Sequence, residues 1–188
     1  MDILGSRGLS YTDTGGADPF RVGPGFVLDT DRAWESFLFS TVRLAFPRYQ
    51  IQKTDHTLGA RFREGRPDLR LRATPDMTIV MPGGEVVIAD AKYKGRQGAE
   101  LSVTSPDIYE VMAFCRAARS KRGLLLYPSP SVSESSPSFP GQVSVVERIE
   151  MEGCTIIALS VEMRGLIREG GYGSFQSRLA SSLAAYLA

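Results

Sequence analysis

From Thr30 the chain settles into a helical rhythm, with Trp34, Phe37, Leu38, Thr41, Val42 and Ala45 returning at steps of three and four. That spacing gathers side chains on one face of a helix. Thr30 or Asp31 is placed to cap it and Pro47 to stop it, so the pattern predicts a helix over about 31–46. The next runs are short and β-like. "YQIQK" at 49–53 predicts a strand, and a polar, arginine-rich connection follows in which "DLRLR" (68–72) is extended. "PDMTIVMPGGEVVIADAKYK" (75–94) then reads as a hairpin running from Asp76 to Tyr93.

After a turn-prone "KGRQGAE", Ser105 caps and Pro106 begins a second helix whose Ile108, Val111, Met112, Cys115 and Ala118 form one stripe, with Gly123 as its end. "GLLLYP" (123–128) reads as a buried strand and "SPSVSESSPSFPG" as a low-complexity surface loop. "QVSVVERIEM" and "TIIALSVEM" add two strands, and Phe175, Leu179, Leu183 and Tyr186 mark a closing helix. No internal repeat is visible. Residues 1–28 form an irregular lead-in and residues 29–188 one domain, of α/β class, with a mixed β-sheet flanked by helices.

The hairpin raises a question, because its apolar runs contain Asp76, Asp90 and Lys92. Alternation along "EVVIADAKYK" sends Val86, Ile88, Asp90 and Lys92 to one face, and Val87, Ala89, Ala91 and Tyr93 to the other. A two-residue Gly83-Gly84 loop pairs Asp76 with Ala91 and turns it away. A three-residue Pro82-Gly83-Gly84 loop pairs Met81 with Glu85 and sets Asp76 opposite Asp90. Turn chemistry favours the second, with Pro82 at the first corner and Gly84 in the left-handed closing position. Two facing carboxylates repel unless a cation lies between them. Hard oxygen ligands of this kind suit Mg²⁺, with Mn²⁺ as a substitute. A lysine beside them suits an attacking water or the charge that develops in phosphodiester hydrolysis. The bland alternative is a surface hairpin with an ion pair contributing under ~1 kcal/mol.

Composition narrows the field without deciding it. The chain has 188 residues, 43% hydrophobic and 23% charged, which allows one domain with a sizeable core. A net charge of +1 gives no global basic field, so attraction to nucleic acid must come from clusters among the 22 Lys and Arg. Arg61, Arg63, Arg66, Arg70 and Arg72 form such a cluster, with Lys94 beyond the hairpin, and a phosphate-tracking patch competes there with a merely solvated face. Cys115 and Cys154 lack a spaced partner, which excludes a cysteine-ligated zinc or iron–sulfur site and fits a reducing compartment. No signal pattern and no membrane-length apolar run occur, so the expected location is the cytoplasm. His56, the one histidine, excludes mechanisms needing two and reads as a polar loop residue. Serine-nucleophile and phosphate-cradling loop motifs are absent.

Pro75-Asp76, then Asp90-Ala91-Lys92 fourteen residues on, with Glu35 on a preceding helix, resembles the PD-(D/E)xK nuclease superfamily. More specifically, "DRAWESFL", "YQIQ", "PDMTIV", "VVIADAKYK", "DIYEVMAF" and "LLLYP" resemble, in order, the nuclease domain of McrC from 5-methylcytosine restriction systems, over about residues 28–128. The resemblance implies a restriction-endonuclease-like sheet and Mg²⁺-dependent DNA cleavage. It also implies Asp76 and Asp90 as metal ligands, Lys92 as the water-activating or charge-stabilising group, and Glu35 as an accessory acid and ligand.

Two departures stand out. Where that family has Gln after the helical Tyr, this chain has Glu110, which when ionised cannot donate a hydrogen bond; outer-shell ligand, weakened site and solvated acid all stay open. Longer family members also carry an N-terminal portion that engages a GTPase ring, McrB. The partner is therefore absent, docks otherwise, or was lost with a truncated segment. Pro67-Asp68 is a second "PD", ranked behind Asp76 because no tight hairpin ties it to the Asp90 strand. The expectation is a metal-dependent DNA endonuclease acting in anti-phage defence with an McrB-like GTPase or another targeting subunit, as a homodimer where both strands are cut. The alternative is a catalytically inactive nuclease-like subunit that binds nucleic acid or serves assembly.

Overall fold

The computed structural model of the chain describes residues 29–93, 103–129, 139–151 and 153–187. The expected lead-in, Lys94 with the turn that follows it, and most of the serine-rich loop lie outside these residues. The first helix, α1 (Thr30–Ala45), starts one residue before the predicted boundary. Its cap is neither Thr30 nor Asp31 but Asp29, whose Oδ1 accepts the Arg32 N–H at 3.0 Å. An extended acid just outside the helix satisfies one of the donors that the first turn leaves free.

Six strands form the main sheet: β1 (Gln50–Gln52), and, leaving β2 and β3 for the ribbon described next, β4 (Met77–Val80), β5 (Val86–Ala91), β6 (Arg122–Ser129), β7 (Val143–Met151) and β8 (Cys154–Glu162). Their order is β1-β4-β5-β6-β8-β7. The inner pairs β5–β6 and β6–β8 are parallel, and the outer pairs are antiparallel. A parallel pair needs a crossover, and α2 (Ser105–Ala118) supplies the one between β5 and β6. The arginine-rich connection is a second, two-stranded sheet, β2 (His56–Arg63) against β3 (Arg66–Ala73). Only "DLRLR" was expected to be extended, and His56, expected in a loop, opens β2.

Alternation divides the core into two layers. On one side Met77, Ile79, Val87, Ala89, Leu124 and Leu126 meet Trp34, Leu38 and Val42 of α1 and Phe175, Leu179 and Leu183 of α3 (Gly171–Leu187). On the other, Ile88, Leu125, Tyr127 and Ile156 meet Val111, Phe114 and Cys115 of α2. The described part is thus a three-layer α/β/α arrangement. α2 ends at Arg119, which takes the left-handed conformation (φ 55°), while Ser120 N–H returns to the Cys115 carbonyl at 2.8 Å. Gly123, expected to end that helix, lies within β6 instead. A Cβ there would stand 2.4 Å from Val111 Cγ1, so only glycine lets α2 approach the sheet this closely. Cys154 packs on the α2 side beside buried Cys115, and their thiols interact, so the two cysteines are neighbours although their spacing gave no sign of it.

Candidate metal and catalytic centre

The hairpin takes the three-residue turn. Met81 N–H donates to the Glu85 carbonyl at 2.9 Å, Gly84 N–H to the Met81 carbonyl at 2.8 Å, and Gly84 has φ 86°. The resulting register pairs Val80 with Val86, Ile79 with Val87, Thr78 with Ile88 and Met77 with Ala89. One step further, Asp76 stands opposite Asp90. The Ala91 N–H reaches across to Asp76 Oδ2 at 2.8 Å and fixes that carboxylate at the strand end.

Asp90 is almost sealed from solvent, at 4% exposure, on the face covered by α2. Burial, and then the neighbouring Asp76 charge, push its carboxyl up to about 6, and the pull of Lys92 does not cancel them. Asp76 is raised too, chiefly by burial, against the Ala91 N–H and the charges of Lys53 and Lys92. Lys92 Nζ lies 2.6 Å from Asp90 Oδ2 and 2.6 Å from Glu110 Oε2 on α2. The second contact is a hydrogen bond. The first is a charge-assisted contact of the same length to the buried Asp90 oxygen. Burial draws the Lys92 ammonium down, but its two carboxylate contacts outweigh that and hold it above its ordinary value.

Glu35 meets Lys53, the residue after β1, in an ion pair, and the charge of Lys53 also bears on Asp76. Glu35 therefore joins the acid pair through a lysine. Two backbone contacts organise the floor, since Lys92 N–H and Trp34 Nε1–H both donate to the Leu126 carbonyl, at 2.9 and 3.0 Å. Behind α2, Tyr127 OH and Thr104 Oγ1 donate to Asp107 Oδ2 at 3.2 and 2.8 Å, locking the start of the helix that carries Glu110. His56 Nε2 and Thr78 Oγ1 share a hydrogen bond of 2.9 Å, tying β2 to the strand that follows Asp76.

Arg61, Arg63, Arg66, Arg70 and Arg72 all fall on the β2–β3 ribbon, where Arg72 Nη1 is held by Asp55 Oδ2 at 2.9 Å. Lys53 is the site residue that sequence reasoning missed. Its single clue is that, directly after β1, it continues the parity of buried Ile51 and so leaves the strand on a defined side.

The donor set fits a hard divalent cation. It consists of two facing carboxylates that burial disfavours as bare anions. Among the described residues no group of three or more Asp, Glu, His or Cys gathers here. Mg²⁺ bound by two carboxylates completes its shell with water and phosphate oxygens, so the pair suffices. With all six side chains ionised, Glu35, Asp76, Asp90 and Glu110 against Lys53 and Lys92 leave a charge of −2, the amount one divalent ion neutralises.

Among solved structures, the chain is similar to McrC of Thermococcus gammatolerans, in an assembly of McrB AAA+ hexamers with bound McrC. The TM-score is 0.59 at 15% identity, covering 86% of this chain and 34% of that one, so the present chain spans about a third of its relative's length. At this identity the likeness shows the fold, which is consistent with a restriction-endonuclease-like arrangement. No curated protein matches. No helix among the described residues is long and apolar enough to cross a membrane. The sequence profile described as "McrBC 5-methylcytosine restriction system component" matches residues 11–128, more than half of the chain, which therefore belongs to that family.

Proposed function

We propose that this chain is the DNA-cleaving component of its restriction system, a Mg²⁺-dependent endodeoxyribonuclease of PD-(D/E)xK type. The observation that carries the reading is Asp76 facing Asp90 across β4 and β5 with Lys92 on the Asp90 carboxylate, in a member of this family. Asp76 and Asp90 are the residues that would hold the cation, which when bound supplies Lewis-acid neutralisation of a phosphodiester's charge. Lys92, kept an ammonium by Asp90 and Glu110, steadies negative charge on the phosphate. It is a poor base for water, which narrows the two roles open to it. Glu35 acts as an accessory acid reached through Lys53, and Glu110 sets the charge of Lys92. The ribbon arginines bring DNA to these groups. An McrB-like AAA+ ring is the proposed partner, as for the Thermococcus protein, and residues 29–188 form the nuclease domain.

The test is conversion of supercoiled plasmid with Mg²⁺ or Mn²⁺, with and without an McrB-type ring, for the native chain and for Asp90→Ala and Lys92→Ala. Each substitution is expected to lower cutting about 100-fold or more. Equal cutting by the variants, or none by any form in the presence of the ring, would make the chain a non-catalytic assembly subunit.

A further inference from the structure

The β2–β3 ribbon stands outside the six-stranded sheet. Its base is fastened by Ala73, buried under α2, and by the His56–Thr78 hydrogen bond. From there the two strands run out to a two-residue Glu64-Gly65 turn, both residues at positive φ (51° and 74°), between the Arg63–Arg66 pair. That is the tight hairpin turn whose twist matches a free-standing ribbon. The strands are eight residues each, so the arm is ~25 Å long. Two register shifts, at Thr57/Gly59 and Arg61/Phe62, bend and twist it.

Among the described residues, its outer half is largely uncovered. Arg61, Arg66 and Arg70 are exposed, and Phe62, next to the tip, is 65% exposed although large aromatics are usually covered. A two-stranded ribbon is marginal in water unless it packs against a helix, and α2 steadies this one at its base. Here the exposed charge is cationic, and the base of the arm lies three residues before Asp76.

Resting on the nuclease reading and extending it, we infer that the β2–β3 ribbon is an arm that enters the major groove of duplex DNA. Its arginines meet the flanking phosphates and Phe62 meets base edges, which sets the register of the duplex over Asp76 and Asp90. The major groove, about 12 Å wide, admits a two-stranded ribbon without deforming the duplex, whereas the minor groove, about 6 Å, must first be opened or bent at a cost. Phosphate contacts alone position a duplex, and an apolar side chain at the tip adds contact with groove methyl groups.

The experiment uses the full chain in EDTA with a 30-base-pair duplex and a single strand of equal length, read by fluorescence anisotropy across a salt series. Methylation of guanine N7 by dimethyl sulfate is measured on the saturated complex. Native protein is expected to prefer the duplex and to protect N7 atoms, which lie in the major groove. The combined Arg61→Ala, Arg66→Ala and Arg70→Ala variant should bind at least tenfold more weakly and lose about 2 to 3 from the slope of log affinity against log salt. Phe62→Ala should keep that slope and lose the N7 protection. Circular dichroism checks that both variants stay folded, and Arg→Lys replacement at the three positions should restore the slope. Unchanged duplex affinity in the triple variant, or a saturated complex with every N7 open, overturns the groove arm. Plasmid cutting is scored separately. If native protein cuts and the arm variants bind and cut equally well, the arm fails and the nuclease stands. If nothing cuts while the arm variants lose duplex binding, the nuclease reading fails and the arm stands.

Discussion

Lys53 pairs with Glu35, and the same ammonium acts on Asp76, so one lysine links the acid of the first helix to the acid of the hairpin. This cation acts on the acid pair that the proposed divalent ion would share. Lys53→Met is therefore expected to tighten Mn²⁺ binding severalfold, because removing a positive charge deepens the negative potential of the acids. Half of the Lys53 side chain is in solvent, so the lost ion pair contributes at most ~1 kcal/mol and lowers the melting midpoint by about 2–4 °C. Titration calorimetry with Mn²⁺, together with thermal unfolding in EDTA, reads both. Weaker Mn²⁺ binding in Lys53→Met would show that Lys53 positions the ligands instead of competing with the ion.

Asp90 gives the metal-free protein an unusual pH dependence. Its carboxyl titrates near 6 in the fold, against 3.8 when unfolded. Between those values the native state holds a proton that the unfolded state has released. Stability must then fall as pH rises from about 4 to about 6 and level off above. Asp76 is shifted in the same direction and adds to the trend, whereas Asp55 and Glu150, both lowered, act oppositely up to the lower end of that window. In EDTA the urea midpoint is expected to drop from pH 4.5 to pH 7. Asp90→Asn, neutral throughout, should flatten the curve and be the more stable protein at pH 7. Millimolar Mg²⁺ should remove the drop in the native chain, and a midpoint that rises with pH in EDTA would contradict the assigned shifts.

Glu110 holds Lys92 from the α2 side at 2.6 Å. Replacing it by Gln keeps a hydrogen-bond acceptor and removes a charge, which eases the ammonium away from its second anion. Glu110→Gln is expected to raise plasmid cutting severalfold at saturating Mg²⁺, because Lys92 becomes freer to meet phosphate. A tenfold loss would instead make Glu110 a direct contributor to the reaction.

The parts of this centre that could be read in the chain are those written locally. Pro82-Gly83-Gly84 specifies its own turn, the turn sets the register, and the register brings Asp76 opposite Asp90, so three adjacent residues decided a tertiary fact. The stripe of α1 is similarly self-declaring. Lys53 and Glu35 are 18 residues apart, one after β1 and the other on α1, and no periodicity connects them. The ribbon was half hidden because its alternation is polar on both faces, leaving only the Glu64-Gly65 turn to announce it. The end of α2 was misplaced because glycine usually closes helices, whereas here Arg119 takes the left-handed residue's place and Gly123 serves packing.

That packing yields the last expectation. At Gly123 an added methyl would lie 2.4 Å from Val111 Cγ1 and 3.0 Å from Cys115 Sγ, both on α2 and both in the buried layer beneath Glu110. The sheet is the stiffer partner, so Gly123→Ala should push α2 outward at a cost of about 1–3 kcal/mol, or several degrees of melting midpoint. The displaced helix carries Glu110 away from Lys92, and so the lysine should approach the behaviour it shows in Glu110→Gln. Val111→Ala removes the nearest obstructing atom. The double variant should therefore be less destabilised than the sum of the two single changes, a coupling that thermal unfolding of the four proteins measures directly. Simple additivity would mean that the backbone of β6 yields first and that α2 keeps its place.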